Sequence, residues 1–290
     1  MEYIHWERRP VLRRPVLLVA FEGWNDAGDA ASLALAYLAQ AWNAQRFATI
    51  DPEDFYDFTD TRPQVKMAGA SRSIEWPTVD LLAAPVLGTG RDVVLVRGVE
   101  PQLKWRTFAS VVVEVALSLG VELSLILGAL LADVAHTKPV RVSGSSDNED
   151  LAGRLGLLAP TYEGPTGIVG VLHDALNRAG VPSASLWAAV PHYVHQVPSP
   201  KAALALVERS AVLMGARVDP LELRLAAEEY ERQINERVAD DEDAAAYVAG
   251  LEASDESSSS DLPLPLLGDG SGLAEEAERY LRRHGGESGG

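Results

Sequence analysis

Up to about Arg217, short runs of consecutive apolar residues alternate with longer stretches in which apolar positions recur every three or four residues. The short runs predict strands at 16–21, 92–96, 124–130, 140–142 and 185–190. The longer stretches predict helices at 29–42, 105–119, 149–157, 168–179 and 200–214. Strand and helix in alternation predict an α/β fold with a mostly parallel sheet. "VLLVAF" and "LSLILGALL" have few polar interruptions, which predicts a sheet covered by helices on both faces.

Local chemistry marks several boundaries. Ser146-Asp147-Asn148-Glu149 has the spacing of a capping box, with Ser146 as the cap. Gly180 followed by Val181-Pro182 ends a helix. Asp219-Pro220 reads as a cap with proline at the first helical position. From Leu221 the pattern becomes a long charged helix, with Tyr230, Ile234 and Val238 on one stripe. "DDED" at 240–243 interrupts it or opens a second helix. Residues 254–272 are low-complexity, rich in Ser, Pro and Gly, and are expected to be disordered. A last helix at 273–283 puts Leu273, Ala277, Tyr280 and Leu281 on one face, a candidate partner-binding element. The expected organisation is a core over 1–218, a helical extension over 219–252 and an acidic tail over 253–290.

Charge sharpens this division. The chain of 290 residues has a net charge of −17, and from residue 219 onward there are 19 acidic and 6 basic residues. The acidity therefore belongs to the C-terminal region rather than to a cleft in the core. Such a balance argues against a nucleic-acid partner. No cysteine is present, which excludes disulfides and thiolate metal sites and suits a cytoplasmic protein. Arginines interrupt the N-terminus, so no signal peptide is expected, and no apolar run is long enough to suggest a membrane span.

Two turns could carry chemistry. "FEGWNDAGDAAS" (residues 21–32) joins a strand to a helix. Gly23 and Gly28 allow close packing, Trp24 is a cover or a ligand platform, and Asp26 is a candidate general base. Glu22, Asp26 and Asp29 make that turn a poor phosphate cradle, and an Asp there can cap the helix itself. "TYEGPTGIVGVL" (residues 161–172) is the better anion cradle, because Gly164, Thr166 and Gly167 offer N–H groups and a hydroxyl with only Glu163 as nearby negative charge. The alternative there is a structural turn capped by Thr166. Ligands of open parallel sheets sit beyond the strand carboxyl ends. That would gather Asp26, Glu100, His136, Thr137 and Thr166 around one crevice. No dinucleotide, P-loop or nucleophile-elbow motif occurs, and no metal or cofactor is expected.

The blocks "FEGWNDAGDAAS", "RGVEP", "LGALLADVAHTKPV" and "YEGPTGIVGVL", in this order over residues 16–214, resemble the PAC2 family, which includes proteasome assembly chaperones. The C-terminal helices resemble its actinobacterial branch. The resemblance implies a three-layer core like those of phosphorylases and hydrolases. It also implies self-association into small oligomers, a trimer among the options, and binding of proteasome subunits or another protein complex. Relatives can dock on proteasome rings through a hydrophobic–Tyr–X ending; "RRHGGESGG" does not reproduce it. The leading expectation is a non-catalytic interaction or assembly protein. The alternatives are a nucleoside- or nucleotide-like binding protein or enzyme using the crevice, and a structural oligomer whose tail recruits a client.

Overall fold

The computed structural model describes residues 3–69 and 71–257. The acidic stretch beyond 257 and the expected terminal helix with Leu273, Ala277, Tyr280 and Leu281 lie outside the described residues.

Five strands follow the apolar runs: β2 (Val16–Glu22), β7 (Arg91–Val99), β8 (Leu123–Ala132), β9 (Val142–Ser145) and β10 (Ser183–Pro191). Five more are β1 (Ile4–Trp6), β3 (Gln45–Ile50), β4 (Gln64–Ala68), β5 (Ser71–Glu75) and β6 (Val79–Val86). The main sheet has eight strands in the order β1-β3-β6-β7-β2-β8-β10-β9. Its centre, β7-β2-β8-β10, is parallel. The outer pairings, β1 with β3, β3 with β6, β6 with β7 and β9 with β10, are antiparallel. The sheet is thus mixed, which corrects the expectation of a mostly parallel one. β1 and β3 escaped notice because they are short or carry polar residues. In β6, Pro85 lies beyond Ala83, the last residue paired to β3, so its missing N–H costs no bond on that side.

The helices are α1 (Ala30–Ala41), α2 (Trp105–Ser118), α3 (Glu149–Leu155), α4 (Ile168–Arg178), α5 (Pro200–Met214), α6 (Leu221–Ala239) and α7 (Glu242–Ser257). Successive residues of a strand face opposite ways, and β2 divides accordingly. Val16, Leu18 and Ala20 pack with α1 and α5 on one face. Leu17, Val19 and Phe21 pack with α2 and α4 on the other. Both faces are covered, giving three layers. α6 adds Leu223 to the α1–α5 side. α7 continues past residue 252, where the tail was expected to begin.

Two caps differ from expectation. α3 is capped by Asn148, whose Oδ1 accepts the Leu151 N–H at 2.9 Å, while the Ser146 hydroxyl donates to the Ser183 carbonyl at 2.7 Å. α6 begins at Leu221, so Pro220 is the cap residue rather than the first helical one, and Asp219 Oδ1 accepts the Leu221 N–H at 3.2 Å. The end of α4 is as expected: Gly180 takes a left-handed φ of 81°, and the Val181 N–H reaches back to the Leu176 carbonyl at 2.9 Å.

Phe108 is fully buried and packs edge-on against both Phe21 and Phe55. Phe108→Ala should lower the unfolding free energy by about 3–5 kcal/mol. Urea denaturation of the two proteins checks this.

Candidate functional site

The parallel strands end at one edge, and three loops there hold the residues singled out in the sequence. The first follows β2. Its Asn25 carbonyl accepts the Ala129 N–H at 2.8 Å, which stitches the turn to β8. Asp26 is 4% exposed, and its Oδ1 accepts the N–H groups of Ala31 at 2.6 Å and Ser32 at 3.2 Å. Those are free donors of the first turn of α1. Asp29, the residue immediately before α1, has a left-handed φ of 51° and makes no side-chain cap. The cap is therefore Asp26, reaching in from outside the helix. Its other oxygen, Oδ2, is buried with no hydrogen-bond partner. Burial pushes the Asp26 carboxyl up to about 6, against the pull of its bonds to Ser32 and Ala31, and Asp29 adds a smaller push. Gly28 has a φ of 57°, and a Cβ there would lie 3.1 Å from the Ser199 Cβ. Its carbonyl accepts the Ser199 N–H at 2.7 Å, tying the turn to the cap of α5.

The second loop follows β7. Glu100 Oε1 accepts from Asn25 Nδ2 at 3.0 Å and from the Ile168 N–H at 2.8 Å. Ile168 is the first residue of α4, so Glu100 caps that helix from a distant segment. Between them stands Gly167, where a Cβ would fall 1.9 Å from Asn25 Nδ2 and 2.6 Å from Glu100 Oε1. Gly23 approaches the Glu100 Cβ in the same way, at 3.3 Å from a built Cβ. Thr166 does not cap α4: its hydroxyl points to the Gly167 carbonyl at a long 3.5 Å and rests against Gly170. Gly164 lies under the Tyr162 ring. The expectation that only Glu163 brings negative charge to this turn is corrected, since Glu100 lies directly on its N–H. Trp24 stands at the rim, 67% exposed.

The third loop follows β8 and is covered by the C-terminal helices. His136 is buried, with Nδ1 2.7 Å from the Tyr193 hydroxyl and Nε2 3.0 Å from Asn235 Oδ1 of α6. The Tyr193 hydroxyl also accepts the His136 N–H at 2.8 Å. A neutral ring with its proton on Nε2 satisfies all three contacts. Burial lowers the His136 pKa, which favours that form. Lys201 donates to the His136 carbonyl and to Glu231 of α6. The Thr137 hydroxyl bonds Glu252 of α7. Tyr247 of α7 completes a ring cluster with His192 and Tyr193, their centroids 5.7–5.9 Å apart. A cavity of about 10 Å³ lies among His136, Ser199, Lys201 and Tyr230. That is room for about one water.

The predicted residues therefore share one edge but form three networks. Glu100, Gly23, Gly167 and Thr166 lie towards α4, Asp26 and Gly28 between α1 and α5, and His136 and Thr137 beneath α6 and α7. Asn25, Tyr193, Lys201 and Asn235 were not singled out in the sequence, because each matters only through a partner far along the chain. Among the described residues, no group of three or more His, Cys, Asp or Glu could hold a metal ion. No described helix is long and apolar enough to cross a membrane.

The PAC2 family model matches residues 20–238. A PAC2 family protein from Streptomyces avermitilis is 50% identical, with a TM-score of 0.77 over 81% of this chain and 99% of that one. A Mycobacterium tuberculosis proteasome-assembly chaperone homologue is 44% identical, with a TM-score of 0.74 over 80% of this chain and 99% of that one. An archaeal proteasome activator from Pyrococcus furiosus shares the fold alone, at 19% identity and a TM-score of 0.66 over 81% of this chain and 99% of that one. No curated protein matches the chain.

Asp26 gives a pH test with a defined sign. Its folded pKa of about 6 exceeds the ordinary 3.8, so between these values the folded chain holds a proton that the unfolded chain has released. Its contribution is full below about pH 4 and is lost as pH rises through about 6, a difference on the order of 2–3 kcal/mol. Asp26→Asn keeps an acceptor for Ala31 and removes the titration. Urea unfolding of both proteins at about pH 4.5 and about pH 7.5 should show wild type losing ground to the variant at the higher pH. Equal pH dependence in the two would refute the assignment. Gly167→Ala should cost about 2 kcal/mol or more, because backbone or Asn25 must shift to admit the methyl; thermal unfolding reads it.

Proposed function

The chain belongs to the PAC2 family, and we propose that it acts by binding other protein subunits, as a self-associating, non-catalytic assembly protein linked to the proteasome. The observation that carries this reading is that the protein's own groups occupy the edge where an α/β sheet would take a ligand. Asp26 holds the start of α1 and Glu100 the start of α4. α6 and α7 cover His136 and Thr137. A phosphate or carboxylate arriving there would meet two carboxylates already on the N–H groups it needs. The similarity to the Mycobacterium tuberculosis proteasome-assembly chaperone homologue supports the choice of partner class.

Crosslinking capture from a lysate of the native organism, with the full chain as bait, tests the reading. Proteasome subunits should be enriched at least several-fold over a control bait. Recovery of the bait alone would contradict it. The crevice alternative has one observation in its favour, the unpartnered Asp26 Oδ2. It requires a nucleoside- or nucleotide-like ligand whose binding weakens in Asp26→Ala and Thr166→Ala.

A further inference from the structure

The amino ends of the parallel strands form the edge opposite the candidate site. Residues 7–15, "ERRPVLRRP", run along it from the start of β3 to the start of β2. The segment is pinned at both ends. The Glu7 N–H donates to the Phe47 carbonyl at 2.9 Å. The Arg13 N–H donates to Asp92 Oδ2 at 2.7 Å, and the Asp92 N–H returns to the Arg13 carbonyl at 2.9 Å. The Glu122 N–H donates to the Pro15 carbonyl at 2.9 Å. Between these ties Val11 is 96% exposed, and Leu87, in the turn before β7 at the same edge, is 85% exposed. A single exposed Val or Leu is ordinary. The charge around these two is not: Arg8, Arg9, Arg13 and Arg14 are all exposed, and four arginines in seven residues are the densest run of cations in the chain. Their neighbours do not cancel them. Arg14 and Arg91 share Glu122, Arg13 lies 3.9 Å from Asp92, and Arg9 sits over the Trp6 ring. Glu7 is bonded to Arg46. Arg8, Arg9, Arg13, Arg14 and Arg91 thus face two carboxylates, Asp92 and Glu122, and the edge keeps a positive surplus.

The complement is in the same chain. Residues 255–278 hold seven acidic residues and no basic one, with Leu262, Leu264, Leu266, Leu267 and Leu273 among them. That is the chemistry a surface of arginines with two exposed aliphatic side chains selects. The distance permits it. α7 ends at Ser257 beside the carboxyl edge, where Glu252 meets Thr137. β8, ten residues long, spans the two edges, roughly 33 Å. An extended chain covers about 3.3 Å per residue, so the 33 residues after Ser257 have length to spare. We propose that residues 262–278 dock on the amino edge of their own chain, with the carboxylates on Arg8, Arg9, Arg13 and Arg14 and the leucines on Val11 and Leu87. The tether gives this segment an effective concentration on the order of millimolar, which favours it over the same segment of a second copy. The contact is independent of the subunit binding proposed above.

The chain has no cysteine, so an introduced pair reports cleanly on proximity. The test is disulfide closure in a glutathione redox buffer, using the full chain with Val11→Cys and Ser271→Cys. The control is the full chain with Trp24→Cys and Ser271→Cys, because Trp24 is exposed at the opposite edge. Non-reducing electrophoresis and peptide mass spectrometry read the product. The Val11 pair should close within one chain at least about tenfold faster than the control pair. Its rate should fall between about 50 mM and about 500 mM salt. Arg8→Glu with Arg9→Glu should bring the rate down to that of the control, and adding Glu275→Arg with Glu276→Arg should restore it. Far-UV spectra and melting of these variants should match wild type, since Arg8 and Arg9 are exposed and outside the core. Equal closure of the two pairs overturns the proposal. So does a disulfide that joins two chains, because the occupant is then a second copy. A fast rate that survives the arginine changes also overturns it, because charge then does not hold the segment there.

Discussion

One carboxylate oxygen, Glu100 Oε1, joins three segments that are far apart in the chain. It accepts from the side chain of Asn25, 75 residues away, and from the backbone of Ile168, 68 residues away. A buried N–H at a helix start must find an acceptor or cost stability. Glu100 supplies that acceptor, with its negative charge at the positive end of α4. The arrangement admits no Cβ at residue 167 and little room for one at residue 23. The turn after β2, the loop after β7 and the entry to α4 are thereby held as one unit. Asp26 supplies the acceptor at the start of α1 on the opposite face of the sheet, where burial pushes its carboxyl up to about 6.

This edge is usually where an α/β protein leaves donors free for a ligand. Here the donors at two helix starts are bonded internally, and a third loop is clasped by α6 and α7. α7 itself buries little: Val248 is its buried side chain among the described residues, and its ties to the edge are two hydrogen bonds and the ring contacts of Tyr247. The clasp therefore rests chiefly on α6, whose Leu223, Ala227, Tyr230 and Ile234 are buried. Among the described residues this edge is thus closed by the protein's own groups.

Much of the fold was legible because the central strands are continuously apolar and the helices amphipathic. The runs at β2, β7, β8 and β10 announced buried strands, and the periodic stretches gave five helices close to their true ends. β9 lay slightly beyond its expected position because an edge strand bearing Ser143 and Ser145 has no apolar signature. β3 was hidden by its polar start, and β4 and β5 by their wet face. The two turns were readable as sites of tight geometry, since Gly, Asp and Thr cluster there. Which carboxylate would sit on which N–H was not readable. Asn25 looked like an ordinary turn residue, and the clasp of Asn235 on His136 spans 99 residues. Those contacts are set by strand order, which periodicity does not encode.

Native-state hydrogen exchange at the amides of Ala31, Ser32 and Ile168 addresses the closed edge most directly. If Asp26 and Glu100 occupy these donors, all three amides should be protected in the free chain nearly as well as those of the central strands. Adding phosphate, nucleosides or nucleotides should leave that protection unchanged. Rapid exchange in the free chain, slowed by one of these ligands, would contradict the account and restore the crevice as a binding site.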